Sequence, residues 1–481
     1  MAVLSALEPK EVFSYFEKLC AVPHGSYNTK QISDLCVGFA QELGLRWRQD
    51  EINNVIIWKD ATPGYEQADA VILQGHIDMV CVKTKDCAKD MAKEGLDLVT
   101  DGEWVWADKT SLGGDNGIAV AMILAILADK ELPHPALEAV FTVDEEVGLN
   151  GAKALDCSDL KGKKLVNLDS ELEGVFTVSC AGGARLDCFL AGRREALNGE
   201  TGYAVTLSGL LGGHSGAEIH KGRASANHVM CRVLYTAMER VPGLRVADIR
   251  GGQFDNVICP RNDARIAVPA GQEKELEGFI QEFDAVLKNE YAGCDDGITL
   301  SCEKSGVEAA LPAEETSRLL HILLAFPQGV QAMSVDFPVV QTSLNLGTMA
   351  MEEDGLHFSF SVRSSVASQK EMVIQRIRGI LELGGGTLAV RGSYPGWQYT
   401  KESVLREDIL AAYKEVSGKD GVIEAIHAGL ECGLFIEKMP GLDAVSAGPE
   451  MHDVHSVQEK LSVPSTAMVY RMMRELLKRS R

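Results

Sequence analysis

The sequence predicts an α/β protein: a discontinuous domain with a central mixed sheet flanked by helices, interrupted by an inserted α+β domain. Three observations predict it. Short apolar runs alternate with helical patterns over the first third of the chain. More openly alternating strands take over in the middle. From about Pro395 the first style returns. The expected boundaries are residues 1–181 and 396–481 for the α/β domain and 182–395 for the insertion.

The elements follow in order. Ile32, Leu35, Cys36, Phe39, Ala40 and Leu43 recur at helical spacing, and Gly44 follows as a stop. Residues 54–58 (NVIIW), 70–73, 139–143 and 164–168 read as short buried strands. The longest apolar run, GIAVAMILAILA at 117–128, is too short to span a bilayer and reads as a buried helix opened by Asn116. The pattern changes near Ala181-Gly182-Gly183. Tyr203, Val205 and Leu207 then share a strand face, and helices are expected over 223–240 and 273–292 with a strand around 257–268. TSLNLGTMA and LHFSFSV flank Glu353-Asp354-Gly355 as a hairpin. A helix over 370–383 and the strand TLAVRG close the insertion, which reads as two α+β halves of similar build without a sequence repeat. Helices over 402–416 and 465–478 complete the chain.

Hydrophobic content of 46% over 481 residues allows sizeable cores in two or three domains. A formal net charge of −22 argues against nucleic acid and anionic membranes as partners. It reads as a solvated acidic surface and does not imply a basic substrate. The start, MAVLSALEPKEVF, lacks the basic and apolar regions of a signal peptide. Twelve cysteines are scattered singly with no CxxC pair, the habit of a reducing compartment. A cytoplasmic location is the expectation.

The chemistry begins at LQGHIDMV. In a strand, residues i and i+2 share a face, so His76 and Asp78 project together from a strand's C-terminal end, where open α/β sheets bind ligands. A purely structural histidine–carboxylate pair explains those eight residues equally well. Other segments repeat the habit. SLGGDNGIAV puts Asp115 before the apolar helix, FTVDEEVG ends in Glu145 and Glu146, LVNLDSE ends in Asp169, and GPEMHDVHS carries His452 and His455. Singly, Asp115 reads as a helix cap, Asp169 as a turn residue and the glutamates as a solvated corner. Jointly they supply imidazole and carboxylate ligands suited to zinc, cobalt or manganese. A pair of metals about 3.5–4 Å apart needs around five protein ligands with one carboxylate shared.

GHIDMV, SLGGDNGIAV, VDEEVGLNGA and NLDSE resemble the motifs of the M20 di-metal peptidases, nearest the bacterial aminoacyl-histidine (Xaa-His, carnosinase-like) dipeptidases. GGHSG at 212–216, HAGLECGLF at 427–435 and the RSS at 363–365 extend the likeness over nearly the whole chain. The resemblance implies two divalent metals, zinc first, with cobalt and manganese as alternatives. His76 and Asp169 would hold one ion, Glu146 and His455 the other, and Asp115 would bridge them. The HS followed by Glu459 matches the family pattern better at His455 than at His452. Asp78 would orient His76, and the Asp115–Asn116 peptide would be cis.

Glu145 would be the general base. Its neighbour is a ligand, yet strand alternation points it away, which suits a residue in the pocket but off the metals. Water activated between two ions needs such a carboxylate to take its proton and pass it to the leaving amine. The resemblance makes the insertion a lid. Its His214, otherwise a turn histidine, would stabilise the oxyanion. Arg363 would bind the substrate's terminal carboxylate, although a surface ion pair explains it nearly as well, and Asn256 is a weaker candidate of the same kind. Glu431 is a speculative partner of the substrate amine. The implied activity is hydrolysis of dipeptides with a free N-terminus, Xaa-His including β-Ala-His, by a homodimer. A deacylase of N-acyl amino acids and a non-catalytic metal- or peptide-binding relative are the alternatives.

Overall fold

The computed structural model describes residues 3–481. They divide into two compact units. The first comprises 3–180, 399–425 and 430–481; the second comprises 181–398 together with the short segment 426–429.

The first unit is built on an eight-stranded sheet. In chain order its strands are β1 (Arg46–Gln49), β2 (Val55–Lys59), β3 (Val71–His76), β4 (Leu137–Thr142), β5 (Lys164–Asn167), β6 (Val175–Cys180), β7 (Val422–Ile426) and β8 (Asp443–Ser446). The spatial order is β1-β2-β4-β3-β5-β8-β6-β7. β3 runs parallel to both β4 and β5, and β8 runs parallel to β5. The outer pair β1–β2 and the β2–β4 ladder are antiparallel, so the sheet is mixed. β3 and β4 are buried along their whole length, because helices cover both faces of a parallel sheet.

The helix Gly114–Ala128 is apolar all round, and its residues from Asn116 to Leu127 are buried. Such a helix must be enclosed; it packs between the helix Lys10–Cys20 and β3. Asp115 and Asn116 have non-helical backbone angles, so the regular helix begins after Asn116, and the Asp115–Asn116 peptide is cis. A small four-stranded sheet joins Leu98–Thr100 and Trp104–Ala107 to Lys460–Ser462 and Met451–His452. This union of early and late chain was not legible in the periodicity, because these strands are only two to four residues long.

The second unit carries one continuous antiparallel sheet. Thr201–Ser208, Asn262–Val268 and Arg245–Gly251 form one half, with the helices Ala226–Arg240 and Glu273–Glu290. Val340–Met351, Gly355–Ser364, Gly182–Ala191 and Thr387–Tyr394 form the other, with Ala313–Ala325 and Ala367–Leu383. The halves join where Arg250 and Gly251 pair with Ala350 and Met349. The strand expected around 257–268 is in fact two, Val257–Ile258 and Asn262–Val268; Pro260 between them has no N–H for a ladder. Among the described residues, no helix is long and apolar enough to cross a membrane, and none of the twelve cysteines forms a disulfide.

Candidate active site

The strand ends of the first unit collect the acidic and imidazole groups. His76 closes β3 and pairs in register with Thr142 at the end of β4. Its N–H donates to Asn116 Oδ1 (3.1 Å), and Asn116 Nδ2 donates to the Leu168 carbonyl (2.6 Å). One buried amide thus ties β3, the apolar helix and the segment leading to Asp169 together. The glycine before His76 is required by this closeness: a Cβ at Gly75 would lie 2.5 Å from Asn116 Oδ1.

Asp115 sits between two histidines. His76 Nε2 is 3.2 Å from its Oδ1, and His455 Nε2 is 3.2 Å from its Oδ2. Asp169 Oδ1 lies 3.4 Å from His76 Nε2, and Glu146 Oε1 lies 3.0 Å from His455 Nε2. His76, Asp115 and Glu146 each offer a ligand atom within 4.8 Å of the others. Each imidazole nitrogen therefore faces one oxygen of the shared carboxylate and one of a private carboxylate. His452 is elsewhere, on Glu450 Oε1 (2.9 Å) with its ring against Trp104.

The spacing fits divalent cations. Ligand atoms about 2.0–2.1 Å from one tetrahedral ion stand about 3.3 Å from each other, and the four separations above run from 3.0 to 3.4 Å. His76 Nδ1 is 3.0 Å from the Asp78 carbonyl and 3.4 Å from its carboxylate. Donation from Nδ1 leaves the Nε2 lone pair toward Asp115 and Asp169. The expected orienting contact of Asp78 is thus made at least as much by its main chain. Its carboxylate instead accepts from the Glu145 N–H (3.1 Å) and the Ser26 hydroxyl (2.8 Å).

Electrostatics record the crowding. Burial drives the Glu145 carboxyl well above its usual range; His76 opposes, and Asp169, Glu431 and Glu146 add to the rise. Burial also pushes Asp169 up to about 7 despite His76. Burial works against the Asp115 carboxylate as well, but its bonds to His455 and His76 hold it well below the normal value. Those same bonds, to Asp115 and Glu146, push His455 up to about 11. Burial disfavours the His76 imidazolium, yet Asp169, Asp115 and Asp78 together raise its pKa well above normal. Protons here balance a charge that divalent cations would balance better.

Two carboxylates support the cluster from beneath. Glu459 is buried, and its oxygens accept from the N–H groups of Leu112 (2.8 Å), Gly113 (3.3 Å), Gly114 (2.8 Å) and Asp115 (3.4 Å). It anchors the loop that presents Asp115. The sequence offered only its place in HSVQE as a signal. Glu431 is fully buried; Gln74 Nε2 and Thr142 Oγ1 donate to its Oε2. That places it one rung below His76 on β3, with Oε2 bonded to protein groups and its buried Oε1 without a partner among the described residues. Burial raises it to about 7. Several residues here take left-handed backbone angles: Asp144 (φ 51°), Leu149 (61°), Asp453 (53°) and His455 (61°). Such strain gathers at functional sites.

His214, Arg363 and Asn256 belong to the second unit and lie near one another there. His214 pairs in register with Val257, and Ser215 N–H donates to the Asn256 carbonyl (2.9 Å). A Cβ on Gly216 would lie 3.0 Å from His214 Cε1 and 3.1 Å from Arg363 Nε, so this glycine lets the two side chains close in. Arg363 Nη1 donates to the Tyr394 hydroxyl (3.3 Å), and its buried Nε has no partner among the described residues. His427 faces the Ser343 hydroxyl at 2.7 Å. Burial, with Arg363 adding to it, lowers His427 to about 3.

Residues 205–294 match the peptidase dimerisation domain of the M20 group. The cytosol non-specific dipeptidase of Escherichia coli (strain K12) is 37% identical over 481 residues, 99% of each chain. The crystal structure of aminoacylhistidine dipeptidase from Vibrio alginolyticus superposes with a TM-score of 0.92 at 36% identity, covering 99% of this chain and 98% of that one. Aminopeptidase PepT of Bacillus cereus shares the fold at 15% identity, with a TM-score of 0.59 over 98% of this chain and 99% of that one.

Proposed function

The chain belongs to the M20 family of peptidases, and we infer that it is a metal-dependent dipeptidase acting on dipeptides with a free N-terminus. Both full-length relatives carry dipeptidase names, and the deacylase alternative is not favoured. The observation that carries the metal reading is Asp115, whose two oxygens each face a different histidine at 3.2 Å. His76 and Asp169 would hold one ion, His455 and Glu146 the other, with Asp115 shared. When bound, such a pair acidifies a water and polarises the scissile carbonyl. Zinc suits the two-imidazole, three-carboxylate set, as do cobalt and manganese.

Within that frame Glu145 is the general base. Its backbone is held by Asp78, and its carboxyl has a raised affinity for protons. A carboxylate so placed would take a proton from water and return it to the leaving amine. Asp78 fixes His76 on one side and Glu145 on the other. The first unit is the catalytic domain in this reading, and the second a lid. Its His214 would stabilise the oxyanion, Arg363 would bind the terminal carboxylate, and Asn256 would support His214 through its carbonyl. The match to a dimerisation domain supports a homodimer, which light scattering would test. Twelve cysteines outside any disulfide and the name of the Escherichia coli relative support a cytoplasmic protein.

The deciding experiment measures release of free amino acids from Ala-His, β-Ala-His, Ala-Ala, a tripeptide and an N-acetyl amino acid. Each is run with added zinc or manganese and again after chelation. Metal-dependent cleavage of the dipeptides alone is expected, and the Ala-His to Ala-Ala ratio reads the preference for C-terminal histidine. Cleavage of the N-acetyl compound alone would overturn the assignment.

A further inference from the structure

Asp295 is a fully buried acid of the second unit, in the connection that follows the helix Glu273–Glu290. A buried carboxylate needs bonding partners, and this one finds them on a single loop. Its Oδ1 accepts from the Leu211 N–H and its Oδ2 from the Ala224 N–H, each at 2.7 Å. Leu211 and Ala224 are the two ends of the segment that carries His214, so one side chain pins both. The main chains meet closely enough to require glycine: a Cβ at Gly209 would lie 1.9 Å from the Gly297 carbonyl oxygen.

Between its pinned ends the loop is bonded around His214. Gly213 and His214 pair with Ile258 and Val257. His214 N–H donates to Glu218 Oε2 (2.9 Å), and Glu218 N–H donates to the His214 carbonyl (3.0 Å). Lys221 Nζ (2.8 Å) and Arg223 Nη1 (3.1 Å) hold the other Glu218 oxygen. A further bond decides the state of the ring. Ala217 N–H donates to His214 Nδ1 (3.0 Å), and a nitrogen that accepts carries no proton. The neutral ring then has its proton on Nε2. A second proton would set an Nδ1–H against the Ala217 N–H. Burial, with Arg363 adding to it, also lowers the affinity of His214 for that proton.

We propose that Asp295 and Glu218 are positioning residues for His214: they fix the 211–224 loop from its ends and from within, and so keep the ring a neutral imidazole with Nε2–H as its donor. The proposal rests on the dipeptidase reading, in which His214 stabilises the oxyanion, and deepens it. Charge that develops on an oxygen during reaction is best met by a donor already aimed, which costs no reorganisation at that moment. A histidine on a free loop would exchange between tautomers, and each would present a different nitrogen as donor. Neither Asp295 nor Glu218 touches a reacting atom; both act through the loop.

The first test reads the tautomer directly, by nitrogen–proton correlation spectra of histidine-labelled, metal-loaded enzyme, with the His214 signals assigned by their loss in His214→Ala. The neutral Nε2–H form is expected at about pH 7. An Nδ1–H form or an imidazolium there overturns the proposal, with no dependence on a loop variant folding. The second test is a double-mutant cycle read as kcat and KM on Ala-Ala. His214→Ala should lose about 10²–10³-fold in kcat, the worth of one oxyanion donor. Asp295→Asn turns an NH₂ toward one of the two N–H groups, and should lower kcat at least about 10-fold with KM and metal content unchanged. Glu218→Ala, at a partly exposed position, should do the same, and it carries the cycle if Asp295→Asn does not fold. In the His214→Ala background neither substitution should lower kcat further, because no ring remains to be positioned. Losses that multiply, or normal kcat in either loop variant, overturn the positioning role. Normal turnover in His214→Ala overturns the oxyanion reading, and cleavage of no dipeptide the dipeptidase reading, each taking the proposal with it; a wrong tautomer in an active enzyme overturns the proposal alone.

Discussion

Replacing Glu459 by glutamine tests how the Asp115 loop is held. The carboxylate accepts four backbone N–H groups, two at 2.8 Å and two at 3.3 and 3.4 Å. Glutamine keeps one acceptor oxygen and turns an NH₂ toward the other pair, so at least one short bond is lost and donors face donors. Hydrogen bonds to a charged group are worth about 1.5–3 kcal/mol each. Losing one short bond therefore costs about 1.5–3 kcal/mol. Asp115 is proposed to contact both ions, so loosening its loop weakens both sites. If the whole cost appears in metal binding, affinity falls about 10–10²-fold, at about 1.4 kcal/mol per decade. The assay is metal stoichiometry after exhaustive desalting, followed by chelator competition to obtain Kd, with the melting temperature of the metal-free protein recorded alongside. Full stoichiometry, a Kd within 3-fold and an unchanged melting temperature would together refute the idea that Glu459 anchors this loop.

Glu145→Gln should retain both metals and lose about 10²–10⁴-fold in kcat, the usual worth of a general base; near-normal turnover in a metal-loaded variant removes it from the mechanism. His214→Ala should lower kcat with metal content unchanged, whereas lost metal would make it a ligand. Metal affinity should rise with pH. His455 is pushed up to about 11, His76 lies well above its normal value and Asp169 reaches about 7, so near pH 7 the metal-free site holds protons that cations must displace. With two released, Kd improves about 100-fold per pH unit; chelator competition at two pH values reads the slope, and a flat profile contradicts the shared-ligand reading.

Much of the α/β alternation was legible because burial leaves periodic traces. The run at 117–128 had to be an enclosed helix, and the structure buries it from Asn116 to Leu127. Strand ends were visible as apolar runs stopping at His76, Glu145-Glu146 and Asp169. Short elements were not: Trp104–Ala107 and Lys460–Ser462 become strands only by pairing with each other, and no local pattern encodes a partner some 350 residues away. Glu459 and Glu431 were obscured for the same reason. Each is a buried acid whose bonding partners, Leu112–Asp115 and Gln74–Thr142, come from distant segments.

By itself, the sequence determined the residue types and the chain's habit of ending apolar strands in imidazole and carboxylate groups, since those depend on local alternation and side-chain chemistry. Only the tertiary structure decided that each histidine faces a different oxygen of Asp115 and that Asp78 meets His76 through its main chain as well as its carboxylate. Those are distances between groups far apart in the chain, and they exist only once the sheet has brought its strand ends into register.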